Sequence, residues 1–187
     1  MKIGWAFCGS FCTFENAFDV LEGLIASGAE VTPIFSETAA GTDTRFGKGS
    51  EWVARAEAVT GRSAILSITG AEPIGPKGLF DLLIVAPATG NTLAKLAHGI
   101  TDGTVTMACK SHLRNGKPLL LAISTNDGLS GSALNIALLS SRKNVFFVPY
   151  RQDNAEGKPS SLVADLETVA AAIPLALQGQ QMQPVLI

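Results

Sequence analysis

Three short polar segments, each placed just after an apolar run, are where this chain could do chemistry. The first is Cys8-Gly9-Ser10-Phe11-Cys12-Thr13, after Ile3 to Phe7. The second is Ser36-Glu37-Thr38, after Glu30 to Phe35. The third and strongest is Pro87-Ala88-Thr89-Gly90-Asn91-Thr92, after the run Leu82 to Ala86. A buried strand that ends in a small polar turn and opens a helix is where α/β proteins hold ligands. The free backbone N–H groups at such a helix start favour an anion. At Gly9-Ser10 the glycine lets backbone N–H groups approach a phosphate and the serine adds a hydroxyl. The GxGxxG pattern is absent, because Phe11 and Cys12 fill its later positions. That points to a mononucleotide phosphate over a dinucleotide, the alternative being a plain turn with Ser10 as a helix cap.

The remaining candidates are weaker. His98 follows Asn91 by seven residues and could act as a general acid or base, or be a structural or interfacial histidine. His112 has no motif around it. Gly47-Lys48-Gly49-Ser50 resembles a Walker loop only superficially, since Gly41 is misplaced and no strand leads into it. Arg45 and Lys48 in that stretch are read as solvated loop charges or as cations on a lid. Cys8, Cys12 and Cys109 make no metal-ligand spacing and no even set, which suits reduced thiols in a cytoplasmic protein. No Ser/His/Asp order and no metal-spaced cluster is present.

These segments need a scaffold, and the pattern supplies one. Phe14, Ala17, Phe18, Leu21 and Ile25 lie on one face of a helix that ends at Gly28. With Ile3–Phe7 before it and Glu30–Phe35 after it, this is a βαβ unit, hence a parallel sheet with a right-handed crossover. Beyond Leu82–Ala86, which Pro87 is expected to stop, Leu93, Leu96, Ala97 and Ile100 mark a helical stripe. Further helices are expected at Glu51–Thr60, Thr104–Leu113 and Ser132–Ser141. Strands are expected at Pro118–Ser124 and Val145–Val148, with a short one at Ala64–Ile68. Ala71–Gly78 and Arg151–Ser161 read as loops, and Ser161 as the cap of a last helix, Leu162–Gln178, kinked or shortened at Pro174.

The 187 residues suit one domain, residues 1–187, of doubly wound Rossmann-like α/β type with a parallel sheet flanked by helices. Hydrophobic residues make up 47% and charged residues 16%, so a large core is available and a homo-oligomer is expected to cover the weakly charged surface. A net charge of −2 without a basic block argues against nucleic acid. No apolar run approaches the roughly 18 residues of a membrane span.

The segments FCGSFCTF, FSETAA and APATGNTLAKLAHGITDGTV, in that order, resemble the flavoprotein family that includes flavin-containing cysteine decarboxylases and flavin prenyltransferases. Pro87–Thr92 is similar to its PASANT motif, differing at Thr89 and Gly90, and Gly99-Ile100-Thr101-Asp102 to its Gly-Ile-x-Asp segment. The resemblance implies FMN, with Gly9, Ser10, Phe11 and Cys12 at the phosphate and Ser36 and Thr38 facing the flavin. Ala88, Thr89, Asn91 and Thr92 would complete the site, the Asn91 amide holding a substrate carboxylate or the flavin edge. Two departures narrow the chemistry. The histidine-containing segment of the decarboxylases is replaced by Ala71-Glu72-Pro73-Ile74-Gly75-Pro76, and their PxMNxxMW segment by Ser124-Thr125-Asn126-Asp127-Gly128-Leu129-Ser130.

The later segment beginning ISTNDGLSGSALN, with the IGWAFCGSFCTF start, is similar to a branch of the family that serves as one half of a two-subunit oxidoreductase. That implies a cyclic dicarboxylate substrate and NAD or NADP on the other half, with Asn91 and His98 as candidate catalytic residues here. An FMN-dependent decarboxylase or prenyltransferase and a non-catalytic assembly module are the rival readings.

Overall fold

The computed structural model describes residues 1–187. In chain order the strands are β1 (Lys2–Phe7), β2 (Glu30–Phe35), β3 (Leu82–Ala88), β4 (Leu119–Thr125), β5 (Val145–Phe147), β6 (Tyr150–Asn154) and β7 (Lys158–Ala164). The helices are α1 (Phe14–Ala26), α2 (Glu37–Gly41), α3 (Gly49–Thr60), α4 (Ile68–Ala71), α5 (Gly90–His98), α6 (Thr104–Leu113), α7 (Ala133–Ser140) and α8 (Val169–Leu177). The seven strands form one sheet in the order β2-β1-β3-β4-β7-β6, with β5 also pairing with β4. Strands β1 to β5 run parallel, and β7 and β6 close the far side as an antiparallel hairpin.

Alternation along the strands divides the core in two, as a sheet covered on both faces requires. Ile3, Trp5 and Phe7 of β1 point to the side of α1, α3 and α8, where Phe7 stacks on Phe18 and on Phe35. Ala6 and Cys8 point to the other side, among Leu83, Val85, Leu93 and Cys109. All seven residues of β3 are buried, so the middle strand lacks a wet face. Gly4 of β1 is paired in register with Leu83 of the neighbouring β3. A Cβ there would lie 2.6 Å from Leu83 Cδ1 and 2.8 Å from the Phe80 ring.

Several expectations need correction. Pro87 does not stop its strand: β3 runs on to Ala88, and the proline falls where the register with β4 shifts between Val85 and Ala88, a place with no regular ladder to break. Residues 64–68 form no strand; Ile65 makes a single bridge to Ile34, and a helical turn starts at Ile68. Residues 71–78 are not plain loop but include a 3₁₀ turn at Glu72–Ile74. The polar stretch 151–161 is mostly strand, held by pairing and not by burial. Consequently Ser161 caps nothing: its hydroxyl donates to the Thr125 carbonyl at 3.2 Å, and the last helix begins at Val169.

Past α8 the chain returns to the sheet. The Gln181 amide pairs with both backbone groups of Phe147, accepting from its N–H at 2.8 Å and donating to its carbonyl at 2.7 Å. Tyr150 then bridges to Leu186.

Candidate ligand-binding site

Parallel strands β1, β2 and β3 deliver their carboxyl ends to one crevice, and helix starts converge there. Ser36 caps α2 by accepting from the Ala39 N–H at 3.1 Å. Thr89 caps α5, its hydroxyl accepting from the Thr92 N–H at 3.4 Å and lying 3.1 Å from the Thr92 hydroxyl. Gly103 starts α6, its N–H donating to the Thr106 hydroxyl at 3.1 Å. The positive ends of these helices face a cleft of about 290 Å³. Gly9, Ser36, Thr38, Thr89, Asn91 and Thr92 line it, with Glu37, Lys95, Asp102, Gly103 and Thr106, and Val105 is its one apolar wall residue.

A capping carboxylate and an ion pair occupy part of this field. Glu37 Oε1 accepts from both the N–H and the hydroxyl of Thr104, each at 2.8 Å, so a carboxylate already sits on the start of α6. Partial burial pushes its pKa up, but the backbone N–H groups, the Thr104 hydroxyl and the Lys95 charge outweigh that and hold it below the usual carboxylate range. Lys95, one turn beyond Asn91, pairs with Asp102 at 2.9 Å. That hydrogen bond lowers the Asp102 pKa. Beneath the cleft, burial pushes the Cys8 thiol up to about 11, against hydrogen bonds from Thr92 and Thr89.

The other predicted residues lie elsewhere. Ser10 faces β4, its hydroxyl 2.7 Å from that of Ser124. Phe11 packs on Phe14 with ring centroids 5.2 Å apart, and Cys12 is exposed in the same 3₁₀ turn. Ala88 is fully buried. His98 is exposed at the far end of α5, about 10 Å along the axis from Asn91, and the cleft does not include it. Arg45 lies over the Phe46 ring at 4.8 Å and Lys48 pairs with Glu51 at 3.5 Å, so neither serves this cleft.

Sequence reasoning passed over Glu37, Lys95 and Asp102 as site residues. The signals were faint: Lys95 stands one helical turn from Asn91, and Asp102 closes the Gly99–Asp102 segment. On the opposite flank of the Thr89–Asn91 turn lies a second polar group. Asp127 Oδ1 accepts from the Thr125 hydroxyl at 2.5 Å and the Ser132 hydroxyl at 2.8 Å. Gly90 makes room for it, since a Cβ there would lie 2.5 Å from Ser132 Oγ and 2.8 Å from Asp127 Oδ1.

A doubly wound sheet with a polar cleft at the carboxyl ends of its parallel strands is the architecture in which open α/β proteins hold their ligands. The model of the family described as Flavoprotein matches residues 1–172, and the chain belongs to that family. It is 46% identical over 186 residues to the B subunit of dipicolinate synthase of Bacillus subtilis (strain 168), covering 100% of this chain and 93% of that one. The crystal structure of the dipicolinate synthase B subunit from Bacillus halodurans C superposes with a TM-score of 0.91 at 44% identity, covering 100% of this chain and 95% of that one. DmrB of Burkholderia xenovorans, a cubic protein cage for redox transfer solved in complex with FMN, shares the fold. Its TM-score is 0.69 at 17% identity, over 95% of both chains. No helix here is long and apolar enough to cross a membrane.

Proposed function

We propose that this chain is the B subunit of a dipicolinate synthase and takes part in oxidising dihydrodipicolinate to dipicolinate during sporulation. The observation that carries this reading is the 46% identity running through the whole chain. The partner is the A subunit of dipicolinate synthase, which carries the NAD or NADP that accepts the hydride. The setting is the cytoplasm, and the chain assembles as a homo-oligomer.

The cleft suits an anionic, hydroxyl-rich ligand. Most of its wall is hydroxyl and amide groups, helix-start N–H groups and one lysine, and its two carboxylates, Glu37 and Asp102, are engaged by Thr104 and Lys95. Gly9 leaves open the wall that a Cβ would close, 3.2 Å from Thr38 Cγ2. A phosphate and ribityl chain such as those of FMN fit that donor set, with Gly9, Ser36, Thr38 and Thr89 holding them. FMN, when bound, would supply a two-electron acceptor. A dicarboxylate would use the same chemistry, with Asn91 and Lys95 as its charge-assisted donors. Lys95 must then exchange Asp102 for the ligand.

Measuring dihydrodipicolinate oxidation by the purified pair against the partner alone tests the reading. Faster nicotinamide reduction in the pair is expected; equal rates would overturn it. Flavin absorbance in the purified chain, or its appearance on titration with FMN, tests the cofactor separately.

A further inference from the structure

Oxidation of dihydrodipicolinate removes a hydride and a proton, and the groups lining the cleft leave the proton without an acceptor. Glu37 is committed to Thr104 and Asp102 to Lys95, each with its pKa held low. His98 is exposed at the distal end of α5. His112 is buried with Nε2 on the Pro118 carbonyl at 2.9 Å. Cys8 is buried with its thiol pKa raised.

Asp127 differs from all of these. It is half-buried at the carboxyl end of β4, against the first turn of α5 that carries Asn91. Two hydroxyls converge on Oδ1, and Oδ2 accepts no hydrogen bond from the chain. None of the six ion pairs involves it. Its backbone carbonyl accepts from the Ser130 and Ser132 N–H groups, both at 3.0 Å, so the carboxylate stands on a braced turn. The groups facing it are the Thr125 and Ser132 hydroxyls and the backbone of Gly90 and Gly131, where a Cβ would meet Asp127 oxygens at 2.8 and 3.0 Å. Gly90 and Gly131 therefore keep side chains away from both oxygens.

We propose that Asp127 Oδ2 is the proton acceptor of the reaction, placed by Thr125 and Ser132 on the flank of the Thr89–Asn91 turn opposite Lys95. The inference rests on the dipicolinate synthase reading. A ring C–H bond breaks and its hydride passes to an oxidised nicotinamide dinucleotide on the partner, reducing it. A proton leaves a neighbouring ring atom for Oδ2, its bonding pair becomes the new ring double bond, and the carboxylic acid formed releases the proton to water. Asn91 would then bind the substrate in the cleft, and Asp127, which stands outside the cleft lining, would take the proton from the far side of the Thr89–Asn91 turn.

The test is steady-state kinetics of the two-subunit complex carrying Asp127→Asn, a variant that can still accept both hydroxyl bonds. A loss of about 10²–10⁴-fold in kcat is expected for a missing acid–base group, with KM, melting temperature and assembly of the complex near wild type. A kcat within threefold of wild type in an active complex would overturn the assignment alone. A wild-type complex no faster than the partner alone would overturn the parent reading and this one with it. Should Asp127→Asn not fold, Ser132→Ala reads the same carboxylate. With one of its two hydroxyl donors gone the carboxylate is less firmly placed, so kcat falls while KM stays near wild type. An unchanged kcat counts against Asp127.

Discussion

Ser10 and Ser124, 114 positions apart in the chain, bring their hydroxyl oxygens to 2.7 Å of each other. The contact ties the loop after β1 to the carboxyl end of β4, across the central strand β3. With Thr125, Asp127 and Ser132 beyond it, a line of hydroxyl and carboxyl groups runs from the first loop to the starts of α5 and α7. Breaking the contact with Ser10→Ala leaves the Ser124 hydroxyl half-buried and short of a partner. A loss of about 1 kcal/mol is expected, read as a lower midpoint in urea unfolding.

Gly90 is held to glycine by its neighbours. Gly90→Ala would press a methyl group onto Ser132 Oγ, Thr125 Oγ1 and Asp127 Oδ1. The expected cost is about 1–3 kcal/mol. Calorimetry checks it, and the double variant Gly90→Ala with Ser132→Ala should recover part of the loss. The departure of Thr89-Gly90-Asn91 from the family's motif thereby has a physical reason in a loop some 35 residues later (about 125–132).

Asn91→Ala separates binding from scaffolding. Asn91 is exposed on the cleft, so the fold should tolerate the change within about 0.5 kcal/mol. Loss of dipicolinate binding by calorimetry, with assembly retained, is expected. Undiminished activity of the complex would favour an assembly role.

Burial lowers the His112 pKa from 6.5 to about 4. The unfolded chain binds a proton at higher pH than the folded one, so this contribution is complete above about pH 6.5 and is lost as pH falls toward 4. The full change is about 3 kcal/mol. Urea midpoints at pH 7 and pH 4.5 should differ more for the native chain than for His112→Gln.

Thiol titration should divide the cysteines. Cys12 is exposed, whereas Cys8 and Cys109 are buried with raised thiol pKa values. One fast-reacting thiol in the folded chain and three after denaturation are expected.

The central architecture was legible in the sequence where apolar period and length agreed. β1, α1 and β2 appear where the pattern put them, because Phe14, Ala17, Phe18 and Leu21 all bury on one face. The hairpin of β6 and β7 was illegible, since Arg151 to Asn154 are exposed and polar and only pairing makes them a strand. Leu162 and Val163 looked helical because a short apolar run does not reveal its period. Within the cleft, Gly9, Ser36, Thr38, Thr89, Asn91 and Thr92 could be read from their places after strands. Glu37 and Asp127 could not: their surroundings come from Thr104, Thr125, Ser132 and Gly90, neighbours that local pattern does not bring together.

The side chain of Gln181 does for β5 what another strand would do, engaging the N–H and carbonyl of Phe147. An amide cannot extend a ladder. The short β5 is thus sealed by a group that offers no backbone for further pairing, and sheet growth from neighbouring molecules is discouraged there. Gln181→Ala should therefore show first as slow fibril-like association on storage, before any loss of enzymatic turnover.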